Sequence, residues 1–182
     1  MQKVLSYGII YIMITIETIR EAAKNVAGSI VETPVLESPV INSTVGARLY
    51  FKAESLQVTG SFKARGAFNA LKCLTPEQRA AGVVAYSSGN HGKALAYAGS
   101  LMAVPVKLVL SVHTSEQKLA AIRSFGAEIY TYDPAIESRT QIAQKLSDEF
   151  GISLIPPYDY EPVIAGQGTV ALEMMSQVGN LD

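Results

Sequence analysis

Residues 59–68 read TGSFKARGAF and place two cations at the start of a predicted helix. The first three residues are typical of a turn that leads into a helix, and the following pattern predicts helix through Leu74. Lys63 and Arg65 then fall in the first turn, where the helix dipole disfavours positive charge. Like charge, the dipole and partial burial all favour a neutral Lys63 amine, the form that condenses with aldehydes. A solvated surface lysine is the alternative, and local features alone favour that alternative.

The composition is that of a protein with a hydrophobic core. The chain has 182 residues and a formal net charge of -1, and 48% of its residues are hydrophobic. This length suits one ordinary domain or parts of two. Near-neutral charge without a basic stripe gives no reason to expect nucleic acid or a membrane surface as partner. Cys73 is the only cysteine, which excludes disulfides and cysteine-based metal clusters, and we expect a buried thiol in a cytoplasmic protein.

Residues 4–14, VLSYGIIYIMI, form a short apolar run after Lys3. The run is too short to span a bilayer, and no clear cleavage site of a signal peptide follows it. We therefore expect a strand, or an extension upstream of a start at Met13.

Strands and helices alternate from Gly82 onward. Four strands are predicted, at 83–86, 106–110, 128–132 and 152–155. Three helices are predicted between these strands. The first spans 93–102, the second begins at a capping box formed by Thr114 and Gln117, and the third begins at an Asp133 N-cap. This alternation predicts a parallel sheet with right-handed crossovers. Upstream, the spacing of apolar residues predicts a helix at 15–30 and a strand at 48–53.

Ligands of α/β sheets bind at the carboxyl ends of strands, and three predicted loops qualify. The first holds Lys63, the second is SSGNHG at 87–92, and the third is GQGT at 166–169 before a helix at 170–175. Glycines in the second loop allow a ligand to approach the backbone, and its free N–H groups suit a carboxylate. An ordinary turn with an asparagine cap is the alternative, and a lone histidine such as His91 is more often structural than catalytic.

The motifs TGSFKARGA, SSGNHG and VIAGQGT, in this order, resemble those of fold-type II pyridoxal-phosphate (PLP) enzymes. Within that group the chain resembles the threonine/serine dehydratases and serine racemases, from about Thr15 to Asp182. His91 favours this branch, because the cysteine synthase and threonine synthase branches usually carry threonine there. The resemblance implies PLP as cofactor and a small amino acid as substrate, with no metal site in this chain.

The resemblance also implies the domain organisation. The expected fold is α/β, the three-layer parallel-sheet fold of the tryptophan synthase β-like superfamily. Residues 82–155 would form a complete small doubly wound domain. Residues 1–81, of which 1–12 are a possible extension, and residues 156–182 would belong to an incomplete large domain.

Site roles follow from the resemblance alone. Lys63 would hold PLP and later remove the substrate Cα proton, Phe62 would pack near the ring, and Asn90 would bond its 3-hydroxyl. The residues expected to bind the substrate carboxylate are Ser87, Ser88, Gly89, Asn90 and His91. Threonine or serine would lose its β-hydroxyl and yield 2-oxobutanoate or pyruvate plus ammonia. Proton delivery by Ser88 to the opposite face would racemise serine instead.

The chain departs from the family pattern in its length and at two positions, Lys93 and Tyr160, the latter standing where many dehydratases have histidine or glutamine. Lys93 stands where relatives commonly have glutamine, where it would add a third positive charge near the site or lie on a solvated helix face, and we expect the latter. Family members are longer, so we expect the N-terminal part of a longer enzyme whose phosphate-binding loop lies further on. In full-length form a homodimer or homotetramer is expected. An inactive fragment that acts only as a folded binding module is the alternative from another class.

Overall fold

The computed structural model describes residues 14–179 and 181. The expectation for the apolar run at 4–14 therefore lies almost entirely outside the described residues. The described residues form eight α-helices, six strands and a short 3₁₀ turn at Glu54–Leu56. In chain order the helices and strands are α1 (Ile16–Val26), β1 (Val35–Glu37), α2 (Pro39–Val45), β2 (Tyr50–Lys52), α3 (Lys63–Lys72), α4 (Pro76–Ala81), β3 (Val83–Ala85), α5 (Asn90–Met102), β4 (Val106–Ser111), α6 (Glu116–Arg123), β5 (Glu128–Tyr132), α7 (Arg139–Phe150), β6 (Ser153–Leu154) and α8 (Glu161–Val178).

The predicted parallel sheet is present and determines where a ligand site can lie. Its four strands have the order β5-β4-β3-β6, and every neighbouring pair is parallel. The chain moves outward from β3 to β5 and then returns to the other side of β3. The winding therefore reverses between β3 and β6, and we call the carboxyl ends of these two strands the crevice, because ligands of such sheets bind at this switch point. All four strands lie within 82–155, while the domain boundaries themselves stay a prediction.

The sheet separates two hydrophobic cores because side chains alternate along each strand. Val83 and Leu108 face the core shared with helices α3 and α5. Val84 and Val109 face the opposite core, which α7 covers. Helices on both faces bury β3 completely and β4 at four of its six residues, as is typical of parallel sheets.

Helix α3 packs against α8 with their backbones in close contact. A Cβ atom on Gly166 would lie 2.6 Å from both the Arg65 carbonyl oxygen and the Gly66 Cα atom. Gly166 therefore lets α8 approach α3 where a larger residue would collide. The predicted loop at 166–169 was wrong, because these residues lie inside α8 and their glycines serve helix packing.

Helix starts differ most from the sequence-based expectations. Helix α6 begins after Ser115 without a side-chain cap bond, so the capping box predicted for Thr114 was wrong. Helix α7 begins after Ser138, whose hydroxyl accepts from the Gln141 N–H group. The predicted Asp133 cap was wrong, because its carboxylate instead closes a local turn ahead of the helix.

Two features of the N-terminal half were not predicted. Strand β1 pairs antiparallel with β2, with Leu36 opposite Phe51, and the short helix α2 connects them. Cys73 is exposed at the end of α3, so the expectation of a buried thiol was wrong. Partial desolvation and the nearby Glu161 raise the pKa of Cys73, which keeps it a thiol at neutral pH. No described helix combines the length and the apolar character that crossing a membrane requires.

Candidate functional site

Lys63 is the first residue of α3, and its amine reaches the crevice beside β6. The Lys63 Nζ atom donates a 3.0 Å hydrogen bond to the carbonyl oxygen of Pro157, in the loop after β6. The Phe62 ring centroid lies 5.1 Å from the same nitrogen. The side chain is half-buried, and this desolvation lowers the pKa of Lys63. The amine is therefore easier to deprotonate than that of a fully solvated lysine.

Arg65 does not cause this shift. The guanidinium is fully buried, with 0% of the side chain exposed, and it pairs with the carboxylates of Glu54 and Glu173. Burial alone would lower the pKa of Arg65, but the hydrogen bonds that it donates to both carboxylates raise this pKa above its usual range. The expectation that Arg65 acts on Lys63 as an unbalanced like charge was wrong, because two carboxylates compensate its charge.

Residues 87–89 of the SSGNHG motif form the turn between β3 and α5, at the same end of the sheet, whereas residues 90–92 belong to α5, which begins three residues before the predicted start. Gly89 N–H donates a 3.3 Å hydrogen bond to the Ser87 hydroxyl, and α5 begins at Asn90. A Cβ atom at Gly92 would collide with the Ser87 carbonyl oxygen, so this tight turn requires glycine. The first N–H groups of α5 have no acceptors within the helix, which makes this end suited to an anion.

A cleft of about 240 Å³ opens beside this turn. Its wall includes Ser88, Gly89 and Asn90 from the motif, together with Lys93 of α5 and Lys118 of α6. Lys93 is half-buried in this wall, so the predicted solvated helix face was wrong. The two lysines and the helix end give the cleft a positive character that favours anionic ligands.

His91 points into the protein interior. Its imidazole is 2% exposed, and Nε2 lies 3.1 Å from the carbonyl oxygen of Ile155. A carbonyl can only accept, so Nε2 carries the hydrogen and Nδ1 is bare, without a partner among the described residues. Burial lowers the pKa of His91 to about 4, so the ring is neutral at neutral pH. Its side chain therefore ties α5 to the end of β6, as expected of a structural histidine.

This burial makes stability depend on pH. We expect the free energy of unfolding to fall by about 2 kcal/mol between about pH 7.5 and about pH 5 through His91. The imidazole of the unfolded chain titrates with the ordinary histidine pKa of 6.5, whereas the folded one titrates at about 4. Below pH 6.5 the unfolded state binds more protons than the folded state, so the free energy of unfolding decreases as the pH falls. Urea unfolding of wild type and His91→Gln at both pH values checks this, since an equal loss in both proteins would contradict it.

At the crevice, Lys63 and His91 hydrogen-bond to two backbone carbonyl groups that are two residues apart. Lys63 contacts the carbonyl of Pro157, and His91 contacts that of Ile155. The charge of Lys63 also contributes to the lowered pKa of His91, so the two side chains are within electrostatic range. The carbonyl partners could not be anticipated, because a backbone acceptor carries no residue-type signal. A buried arginine, however, requires carboxylates, and this requirement could have directed attention to Glu54 and Glu173.

Comparisons with known proteins identify the family of the chain. The family model described as pyridoxal-phosphate dependent enzyme matches residues 26–182. L-threo-3-hydroxyaspartate ammonia-lyase of Saccharomyces cerevisiae is 44% identical over 162 residues, which cover 89% of this chain and 50% of the relative. The crystal structure of serine racemase from Dictyostelium discoideum superposes with a TM-score of 0.88 and 44% identity, covering 93% of this chain and 55% of that one. The crystal structure of a threonine deaminase from T.th. superposes with a TM-score of 0.80 and 38% identity, covering 91% and 52%.

The chain spans about half the length of the curated relatives it matches. Its structural neighbours are fold-type II enzymes, which confirms the predicted α/β fold class over the part that the chain covers. The family and these relatives depend on PLP, which confirms the predicted cofactor class. On the family match and these identities, the chain belongs to the pyridoxal-phosphate dependent enzymes, in the group that contains ammonia-lyases and amino-acid racemases.

Proposed function

We propose that the protein carrying this chain is a PLP-dependent ammonia-lyase that converts L-serine or L-threonine into a 2-oxo acid and ammonia. The observation that carries the proposal is the half-buried Lys63 amine with its lowered pKa, at the crevice between β3 and β6. Two relatives, the 3-hydroxyaspartate ammonia-lyase and the threonine deaminase, have names that describe removal of ammonia from amino acids. They support this reaction class.

The residues around Lys63 suit PLP. The amine can hold the aldehyde, and the Phe62 ring beside it, 39% exposed, offers an apolar surface to a planar ring. Ser61 Oγ is buried without a hydrogen-bond partner among the described residues, so a polar atom is available to a ligand. Asn90 is exposed at the start of α5 and would bond the ring hydroxyl. When bound, PLP accepts the electron pair left on the substrate Cα atom.

The chain's own residues would do the remaining work. The motif residues Ser87 to His91 would bind the substrate carboxylate, with His91 contributing its backbone N–H because its ring is buried. This contact would orient the Cα–H bond toward the Lys63 amine, which accepts the proton. Loss of the Cα proton and the β-hydroxyl removes one water molecule. Addition of one water molecule then releases the 2-oxo acid and ammonia.

The test is product analysis of the protein that carries this chain. With PLP and L-serine or L-threonine, we expect pyruvate or 2-oxobutanoate and an equal amount of ammonia. L-Alanine is the control substrate, because it lacks the β-hydroxyl and should give no oxo acid. Bound PLP without any oxo acid from either hydroxy amino acid would refute the proposal. A clear preference for 3-hydroxyaspartate would keep the reaction class and change the substrate.

Racemisation of serine is the second candidate. Ser88 supports it, because this half-buried residue follows β3, lines the cleft with Asn90 and offers a hydroxyl. A serine racemase is also among the relatives at 44% identity. Chiral chromatography of serine after incubation separates the two activities. Ser88→Ala should lose racemisation and retain dehydration if Ser88 supplies the second proton.

An inactive binding module is the candidate from another class. Borohydride treatment after mixing the chain with PLP distinguishes it, because a fixed adduct on Lys63 supports the enzyme. Failure to form any adduct would support the binding module. Cytoplasmic localisation stays a prediction. The expected homodimer or homotetramer also stays a prediction, and light scattering of the full-length protein would measure its oligomeric state.

A further inference from the structure

Arg65 has a complete set of hydrogen bonds in the protein interior. Nε and Nη2 donate to the two oxygens of Glu54 at 2.9 and 2.7 Å. Nη1 and Nη2 donate to the two oxygens of Glu173 at 3.1 and 2.9 Å, and Nη1 also donates to the Thr169 hydroxyl at 3.3 Å. These contacts use all the N–H donors of a guanidinium, in a two-sided fork that lysine cannot reproduce.

The contacts connect two separate elements to the first turn of α3. Glu54 lies in the 3₁₀ turn, while Thr169 and Glu173 lie on α8. The N-cap of α3 adds no side-chain anchor of its own, because Phe62 at that position makes no cap bond. Arg65 therefore sets the position of the helical turn that begins with Lys63.

The cluster around Arg65 is also electrically balanced. Lys52 Nζ lies 2.5 Å from Glu173, so two cations face the two carboxylates of Glu54 and Glu173. A balanced cluster exerts little net field on the neighbouring amine. This explains why burial, rather than Arg65, accounts for the lowered pKa of Lys63.

We propose that Arg65, held by Glu54 and Glu173, is a positioning residue that places the Lys63 amine for capture of the cofactor aldehyde. The inference rests on the proposed role of Lys63 and does not depend on which amino acid is the substrate. A displacement of about 1 Å in a reacting group can lower a rate by roughly a hundredfold, so loss of this attachment should be measurable.

The experiment compares Arg65→Lys and Glu54→Gln with wild type. Arg65→Lys keeps the positive charge but cannot make the paired hydrogen bonds to both carboxylates. Glu54→Gln keeps the side-chain shape but replaces one charged acceptor with a neutral amide. Arg123→Lys is the matched control, because Arg123 makes a 2.8 Å ion pair with Glu116 on the exposed surface of α6. Each folded protein is mixed with PLP and reduced with borohydride, and peptide mass mapping measures the Lys63 adduct. Circular dichroism of the bound PLP reports its orientation.

We expect roughly ten- to a hundredfold slower trapping at Lys63 and an altered dichroism signal in both cluster variants, with no change in the control. Unchanged trapping and dichroism in either folded variant would overturn the proposal. Failure of both variants to fold would overturn it too, because the cluster would then only support the fold. A wild-type adduct at Lys63 without any oxo acid would refute the proposed lyase reaction and leave this inference standing.

Discussion

Replacement of Lys63 by methionine is expected to abolish the borohydride-fixed PLP adduct and to lower oxo-acid release by at least about 10³-fold. Methionine matches the length of most of the lysine side chain but has no amine to hold the aldehyde or accept the Cα proton. The half-buried position is compatible with this replacement, because methionine tolerates partly apolar surroundings, while the hydrogen bond to the Pro157 carbonyl is lost.

Lys72→Met is the matched control for this prediction. Lys72 is the last residue of the same helix and lies a helix length away from the crevice. Its replacement should leave both the adduct and the oxo-acid release unchanged. The assignment of Lys63 would be wrong if Lys63→Met retained a PLP adduct with comparable oxo-acid release.

The second large effect concerns the contact between α3 and α8. Gly166→Ala should lower the free energy of unfolding by about 3 kcal/mol, since overpacking of a rigid contact is costly. The added methyl would meet the Arg65 carbonyl oxygen and the Gly66 Cα at 2.6 Å, and backbone atoms cannot move aside as a side-chain end can. Urea unfolding of the folded variant gives the change directly.

Gly168→Ala in the same helix is the internal comparison. The three nearest atoms to its methyl would be side-chain atoms of Ile19, at 2.9 to 3.3 Å, and this side chain can change rotamer. Alanine also favours helix over glycine by up to about 1 kcal/mol, so the net change should be small. Equal destabilisation by the two substitutions would contradict the close backbone packing at Gly166.

The strands of the parallel sheet could be predicted because their apolar runs are short and bounded by turn residues. Strand β5 has the predicted limits, and the other three differ by one or two residues. Helix starts were harder, since Thr114 and Asp133 both have the chemistry of a cap and lie outside the helices. Glycines at 166 and 168 suggested a turn, because glycine spacing alone does not distinguish a turn from a close helix contact.

The candidate site shows the same division between local and distant information. The positions of Lys63 in a first turn and of SSGNHG after a strand depend on nearby residues, and both were predicted correctly. The pairing of Arg65 with Glu173 joins residues 108 apart, and no local pattern indicates it. Of the three causes predicted for the lowered Lys63 pKa, burial is confirmed, whereas the like charge of Arg65 is compensated by two carboxylates.

That long separation has a consequence for synthesis on the ribosome. A nascent chain that has emerged only as far as the parallel sheet contains Arg65 and Glu54 but still lacks Glu173. Its guanidinium then has one carboxylate instead of two, and α3 has no α8 to pack against. Helix α3 can reach its final place only after α8 has left the exit tunnel, so the sheet can form before the Lys63 amine is in position.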